Sequence, residues 1–148
     1  MKINAKKIFA AVLVLALAVT CFTGCGKKET WKKTDDGKVI LEIGFIGPLT
    51  GENANYGISV RNGALLAVEE INKNGGFNGF ELKLLEADSE ASGEKAVAGY
   101  GKLMDDGMKI SMGGVLSGET KDVVAAAKED GILILSASAS ALDCIGEK

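Results

Sequence analysis

Met108-Lys109-Ile110-Ser111-Met112-Gly113-Gly114-Val115 opens on a short apolar run, and Ile132-Leu133-Ile134-Leu135 is another. Between them, a helical pattern from about Glu119 to Lys128 stops at Gly131. Two short apolar strands joined by a helix make a parallel crossover unit, because parallel strands need a long connection between them. Strands that are apolar throughout, rather than alternating, are expected to be covered on both faces.

The same alternation extends toward the amino terminus. Val39 to Ile46 is a further apolar run, broken by Gly47-Pro48-Leu49-Thr50-Gly51. Ala64, Ala67, Val68 and Ile71 then recur at helical spacing, and the pattern ends at Gly75-Gly76, residues that suit a helix C-cap. Glu81 to Ala87 is a second strand. Ala96, Val97, Tyr100, Leu103 and Met104 mark a second helix that stops near Gly107. The order βαβαβαβ predicts an α/β fold with a doubly wound parallel sheet. Ligands of such sheets lie outside the carboxyl ends of the strands. Three segments fall there: Gly47 to Tyr56, Leu116 to Thr120, and Ser136 to Ser140.

The first residues belong to no fold. Lys2, Lys6 and Lys7 precede an unbroken apolar run of 12 residues, Ile8 to Val19. A membrane-spanning helix needs about 20 residues, so the run fits the core of a secretory signal peptide. Phe22-Thr23-Gly24-Cys25 resembles the lipobox of bacterial lipoproteins, in which cleavage precedes a lipid-modified Cys. Gly24 meets the need for a small residue there, while Phe22 stands where Leu is usual. Cys21 is the rival, but it follows the less suitable Thr20, so Cys25 is the expected lipidation site. The expected organisation is a lipoprotein signal peptide over 1–24, a flexible tether over 25–38 and a folded domain over 39–148. Trp31 is the tether's one large apolar residue, and it reads as an ordinary linker residue or as a membrane-interface residue.

Charge and composition exclude several functions. The leader holds three of the 17 basic residues and none of the 20 acidic ones, so the remainder is net acidic and has no general attraction to nucleic acid or anionic lipid. Beyond Cys25 only Cys144 remains, and one Cys closes no internal disulfide. The chain has no His, which removes Ser-His-Asp and Cys-His nucleophile pairs and His-ligated zinc. Neither a metal nor a cofactor is expected, and an enzyme using Asp88 or Glu119 as base is the weakest of the functional readings.

Gly113 to Thr120 approaches the phosphate-binding pattern Gly-x-x-x-x-Gly-Lys-[Ser/Thr], but Glu119 occupies the Lys position and would repel phosphate. What remains is Ser117 and Gly118 at the start of a helix. Exposed N–H groups and the helix dipole favour an anion there, and Ser117 could add a hydroxyl. Taken alone, Ser117 is equally suited to be an N-cap. The small hydroxyl residues of Ser136 to Ala141 could approach a ligand or form a plain polar loop.

Ile43-Gly44-Phe45-Ile46-Gly47-Pro48-Leu49-Thr50-Gly51 followed by Tyr56-Gly57 resembles the opening of the branched-chain amino acid-binding proteins of ABC transporters. Glu70-Ile71-Asn72-Lys73-Asn74-Gly75-Gly76-Phe77-Asn78-Gly79 is similar to a further stretch of that family. Asp88, then Gly114-Val115-Leu116-Ser117 with Thr120, then Ile134-Leu135-Ser136, follow in the family's order. The resemblance implies the first, incomplete lobe of a type I periplasmic-binding-protein fold, with a second lobe absent from 39–148. It implies an amino acid ligand, an ABC permease as partner and, as an alternative, a ligand-sensing receptor without a transport role. It also implies that Ser117 bonds the ligand carboxylate, that Ser138 offers backbone to the amino end, that Ser140 stands for a Thr bonding polar groups, and that Tyr56 lies beside the ligand side chain. Ala137 stands where the family often has Pro. One lobe alone is expected to be marginally stable and to bind weakly.

Overall fold

The computed structural model describes residues 31–145, so the leader, Cys21 and Cys25 lie outside the described residues. Four strands form one parallel sheet: β1 (Val39–Gly47), β2 (Phe80–Asp88), β3 (Ile110–Met112) and β4 (Leu133–Ile134), in the order β2-β1-β3-β4. Helices α1 (Ala54–Lys73), α2 (Gly93–Asp105) and α3 (Ser117–Ala126) connect them, and a short 3-10 turn spans Leu142–Cys144. The doubly wound α/β architecture expected from the alternation is present.

Register assigns the faces. Gly44 pairs with Leu85 and Ile46 with Ala87, so these side chains share one face of the sheet. That face builds the main core: Ile46 packs with Ala96, Tyr100 and Leu103 of α2, with Met108, and with Val123 and Ala127 of α3 and its end. Gly44 is required beneath it, since a Cβ there would meet the Met108 sulfur at 1.9 Å. Tyr100 ties α2 to the end of α3 by donating its hydroxyl to Asp130 Oδ2 (2.7 Å).

Helix α1 packs on β2 and β1. Ala64, Val68 and Ile71 are half-buried, as the periodicity implies, whereas Ala67 is exposed. Asn72 does more than the pattern indicates. β2 is an edge strand, and the Asn72 side chain accepts from Leu82 N (2.8 Å) and donates to Leu82 O (2.8 Å). One amide therefore stands in for a missing strand neighbour, satisfying groups an open edge would expose. The helix then ends as expected: Gly75 and Gly76 take φ values of 100° and 87°, and Gly76 N donates back to Ile71 O (2.9 Å).

Three boundaries differ from the sequence reading. β3 pairs over Ile110–Met112 rather than 108–115, because Met108 turns into the core and the carbonyls of Gly114 and Val115 are taken by side chains. α3 starts at Ser117 rather than Glu119, because the Glu119 carboxylate reaches back to accept Leu116 N (3.1 Å) and closes the first turn. β4 is shorter than 132–135, although Leu135 N still donates to Ser111 O (2.8 Å).

The tether expected over 25–38 is, in its described part, no free chain. Lys33 bridges Val39 in antiparallel fashion, Thr34 N donates to Lys38 O (2.9 Å), and Gly37 takes a left-handed turn position (φ 87°). Residues 31–38 therefore fold as a tight hairpin on the amino ends of the strands. Their polar composition is matched by exposure at all but Thr34, while Lys32 and Trp31 reach partners beyond the hairpin.

Candidate functional site: the carboxyl edge of the sheet

The strand order places a switch between β1 and β3. The chain leaves β1 toward β2 on one side and returns to β3 on the other, so the loops after β1 and β3 diverge and leave a crevice between them. The loop after β1 is held from two sides. Helix α1 lies directly on Pro48, where a Cβ at Gly57 would come within 1.9 Å of the Pro48 carbonyl oxygen. From β2, the Asp88 carboxylate accepts Leu49 N (2.8 Å), Thr50 Oγ1 (2.7 Å) and Glu90 N (2.9 Å). Asp88 thus joins two edge loops. Desolvation works to raise its pKa, but the donors from Thr50, Leu49 and Glu90 together prevail and hold it below the ordinary aspartate value.

The loop after β2 is conformationally strained. Glu90 and Ala91 both take positive φ, 49° and 59°. Neighbouring bonds hold it, including Ser92 N to Ser89 O (2.8 Å). Ser89 is fully buried and donates its hydroxyl to Glu119, itself only 2% exposed. Glu119 is thereby committed to Ser89 and Leu116. It points into the domain, not into the crevice, and is not placed to act as a base on a ligand.

The loops after β3 and β4 are fastened by hydroxyls. Thr120 Oγ1 and Ser136 Oγ (2.7 Å) both donate to Gly114 O, and Ser138 Oγ donates to Val115 O (2.6 Å). Gly114 must lack a side chain, because a Cβ would lie 2.5 Å from Thr120 N. This brings the tail of β4 onto the start of α3. Ser117 Oγ accepts Ser140 N (3.3 Å) and Ala141 N (3.4 Å).

The predicted residues divide accordingly. Ser117, Ser138 and Ser140 come together in one group. Ser117 is the first residue of α3, with Leu116 in the cap position, so the N-cap alternative does not apply. Its hydroxyl accepts two N–H groups, and among the described residues its own proton has no acceptor. The exposed Gly118 beside it leaves the helix start open. Tyr56 lies in the first turn of α1 at the same edge, 61% exposed and apart from the serine group. A groove of about 890 Å³ lies between Val124, Lys128, Ile134 and Cys144; Thr120 and Ser136 line it, but none of Ser117, Ser138, Ser140 and Tyr56 does. It is a largely apolar flank beside the edge strand.

The profile of the family described as "Periplasmic binding protein" matches residues 41–147. The chain belongs to the periplasmic binding protein family. It is 39% identical over 101 residues to the leucine-, isoleucine-, valine-, threonine- and alanine-binding protein of Pseudomonas aeruginosa, covering 68% of this chain and 27% of that one. It is 30% identical over 140 residues to the leucine-specific-binding protein of Salmonella typhimurium, covering 95% and 34%. Among solved structures, the branched-chain amino acid transporter substrate-binding protein LivJ of Streptococcus pneumoniae, in complex with isoleucine, superposes with a TM-score of 0.68 at 30% identity, over 71% of this chain and 30% of that one. The chain thus spans about a third or less of the length of these relatives. Family and fold are those of solute-binding proteins, which are not catalysts.

Sequence reasoning did not find Asp88 and Glu119 as organisers of this edge. An acidic residue directly after an apolar strand was the available signal for Asp88. Because the folded pKa of Asp88 is depressed, its stabilising contribution is complete above the unfolded value of about 3.9 and is lost as pH falls through the lower folded value. The amide resonances of Leu49 and Glu90 should titrate with a midpoint below about 3.9, and Asp88→Asn should abolish that transition. A midpoint at or above the ordinary value would show that these bonds do not hold the carboxylate.

Proposed function

We propose that this chain is part of an extracytoplasmic solute receptor that takes an amino acid, branched-chain or similar, by its carboxylate and serves an ABC importer. The observation that carries this reading is Ser117: an uncommitted hydroxyl proton at an open helix start, set at the switch point of a parallel sheet. A carboxylate placed there gains the Ser117 O–H, the backbone N–H groups of the first turn and the favourable end of the helix dipole. Ser138 and Ser140 would present backbone polar groups to the amino end, and Tyr56 would flank the side chain. The chain's similarity to proteins named for binding leucine, isoleucine and valine supports this ligand class. A permease is the partner that such a receptor requires.

Leucine at millimolar concentration should shift the amide resonances of Ser117, Gly118 and Ser140, whereas leucinamide, which lacks the carboxylate, should leave them in place. Equal shifts from both compounds would remove the carboxylate reading.

Lipidation at Cys25 would hold the receptor on the outer face of the cell membrane. Among the described residues no helix is long and apolar enough to cross a membrane, and acyl chains contribute about 0.8 kcal/mol per buried CH₂ to such anchoring. Labelled palmitate fed to a bacterial host should enter the chain, and Cys25→Ser should abolish the label while Cys21→Ser retains it. The reverse pattern would move the anchor to Cys21.

A further inference from the structure

A carboxylate is buried in the sheet, and its partner comes from outside it. Glu42 lies in the middle of β1 and is 4% exposed. Lys32, in the hairpin before β1, places Nζ 2.8 Å from Glu42 Oε1 and also donates to the carbonyl of Asp106, the cap residue at the end of α2. That position suits a cation twice, beside a carboxylate and at the negative end of a helix. The surroundings fit the pair. Gly107 turns the chain at φ 103°, and a Cβ there would lie 2.4 Å from Glu42 Oε2.

The rest of the hairpin docks alongside. Ile40 N donates to Lys32 O (2.8 Å). The Trp31 ring lies against Phe80, with centroids 5.4 Å apart, and Lys109 Nζ stands 5.1 Å over the same ring. Val39, Phe80 and Lys109 all mark the amino ends of strands, so the Trp31 contacts fall at the amino edge of the sheet, and Glu42 lies three residues farther along β1. β1 has nine residues, which separates the two edges by roughly 26 Å.

We infer that residues 31–38 form a latch held by the Lys32–Glu42 pair, fixing the point where the preceding chain joins the domain at the end away from the ligand edge. Tension on the preceding chain then acts on the amino end of the sheet and leaves the loops of the crevice untouched. This inference is independent of the proposed ligand.

Breaking one half of a buried pair leaves the other charge uncompensated, whereas removing both relieves it. Lys32 is half exposed, which lets water offset part of that cost. The test is urea unfolding of the chain together with acrylamide quenching of Trp31, its one tryptophan. Lys32→Met should lower the folding equilibrium constant about 10- to 100-fold and raise quenching of Trp31. In a Glu42→Gln background, where the pair is already broken, quenching should already be raised, and the same replacement should change neither it appreciably nor the folding constant by more than about threefold. Should Lys32→Met alone fail to fold, Glu42→Gln compared with the unaltered chain reads the release of Trp31 directly. Equal losses of stability in both backgrounds, or quenching that does not respond to Lys32→Met, would overturn the latch.

Discussion

Two backbone carbonyls past the end of β3 decide what this edge of the protein can be. Gly114 and Val115 leave the ladder with their oxygens buried or nearly so, and an unpaired buried carbonyl costs about 1–3 kcal/mol. Thr120, Ser136 and Ser138 supply the missing donors. Because those hydroxyls come from α3 and from the tail of β4, satisfying the carbonyls also draws the two loops together. The serines of the tail are therefore structural first. Among the described residues the Ser117 proton remains uncommitted once the loops are joined, and the proposed carboxylate site is built on it.

The other edge loops are fixed by carboxylates in the same way. Asp88 gathers donors from the loop after β1 and the loop after β2, while Glu119 links the loop after β2 to the start of α3. Three loops that would otherwise move independently form one surface. This is preorganisation: a ligand meeting such a surface does not have to order it. The strain at Glu90 and Ala91 is borne by the same bonds.

The alternation of strands and helices was legible because apolar runs and helical spacing are repeated signals along the chain. Boundaries were less so, since they depend on side chains that bond across loops. The Gly114 carbonyl ends β3 through Thr120 and Ser136, and no local pattern around Met112 announces it. Ser117 and Ser140 were legible as one site only through the collinear resemblance to a family, since a serine loop alone is compatible with many roles. The docking of Trp31 to Lys38 was hidden by composition, although a Glu in the middle of an apolar strand was a sign that a cation must reach it. Asn72 lay within a recognised motif, yet its task as a substitute strand partner follows only from the placement of β2 at the sheet edge. Leu133 of β4 and Leu135 just beyond it are 66% and 63% exposed, a reminder that apolar pattern identifies a strand without saying what covers it.

The central claim is that the Ser117 hydroxyl and the first turn of α3 receive a carboxylate. The most direct measurement is a leucine titration of the chain and of its Ser117→Ala form, followed at the amide of Gly118. The expected result is a saturating shift in the unaltered chain that Ser117→Ala weakens at least about tenfold in affinity, the loss of one hydrogen bond to a charged group, with the remaining amide spectrum unchanged. Identical titrations of the two forms would contradict it.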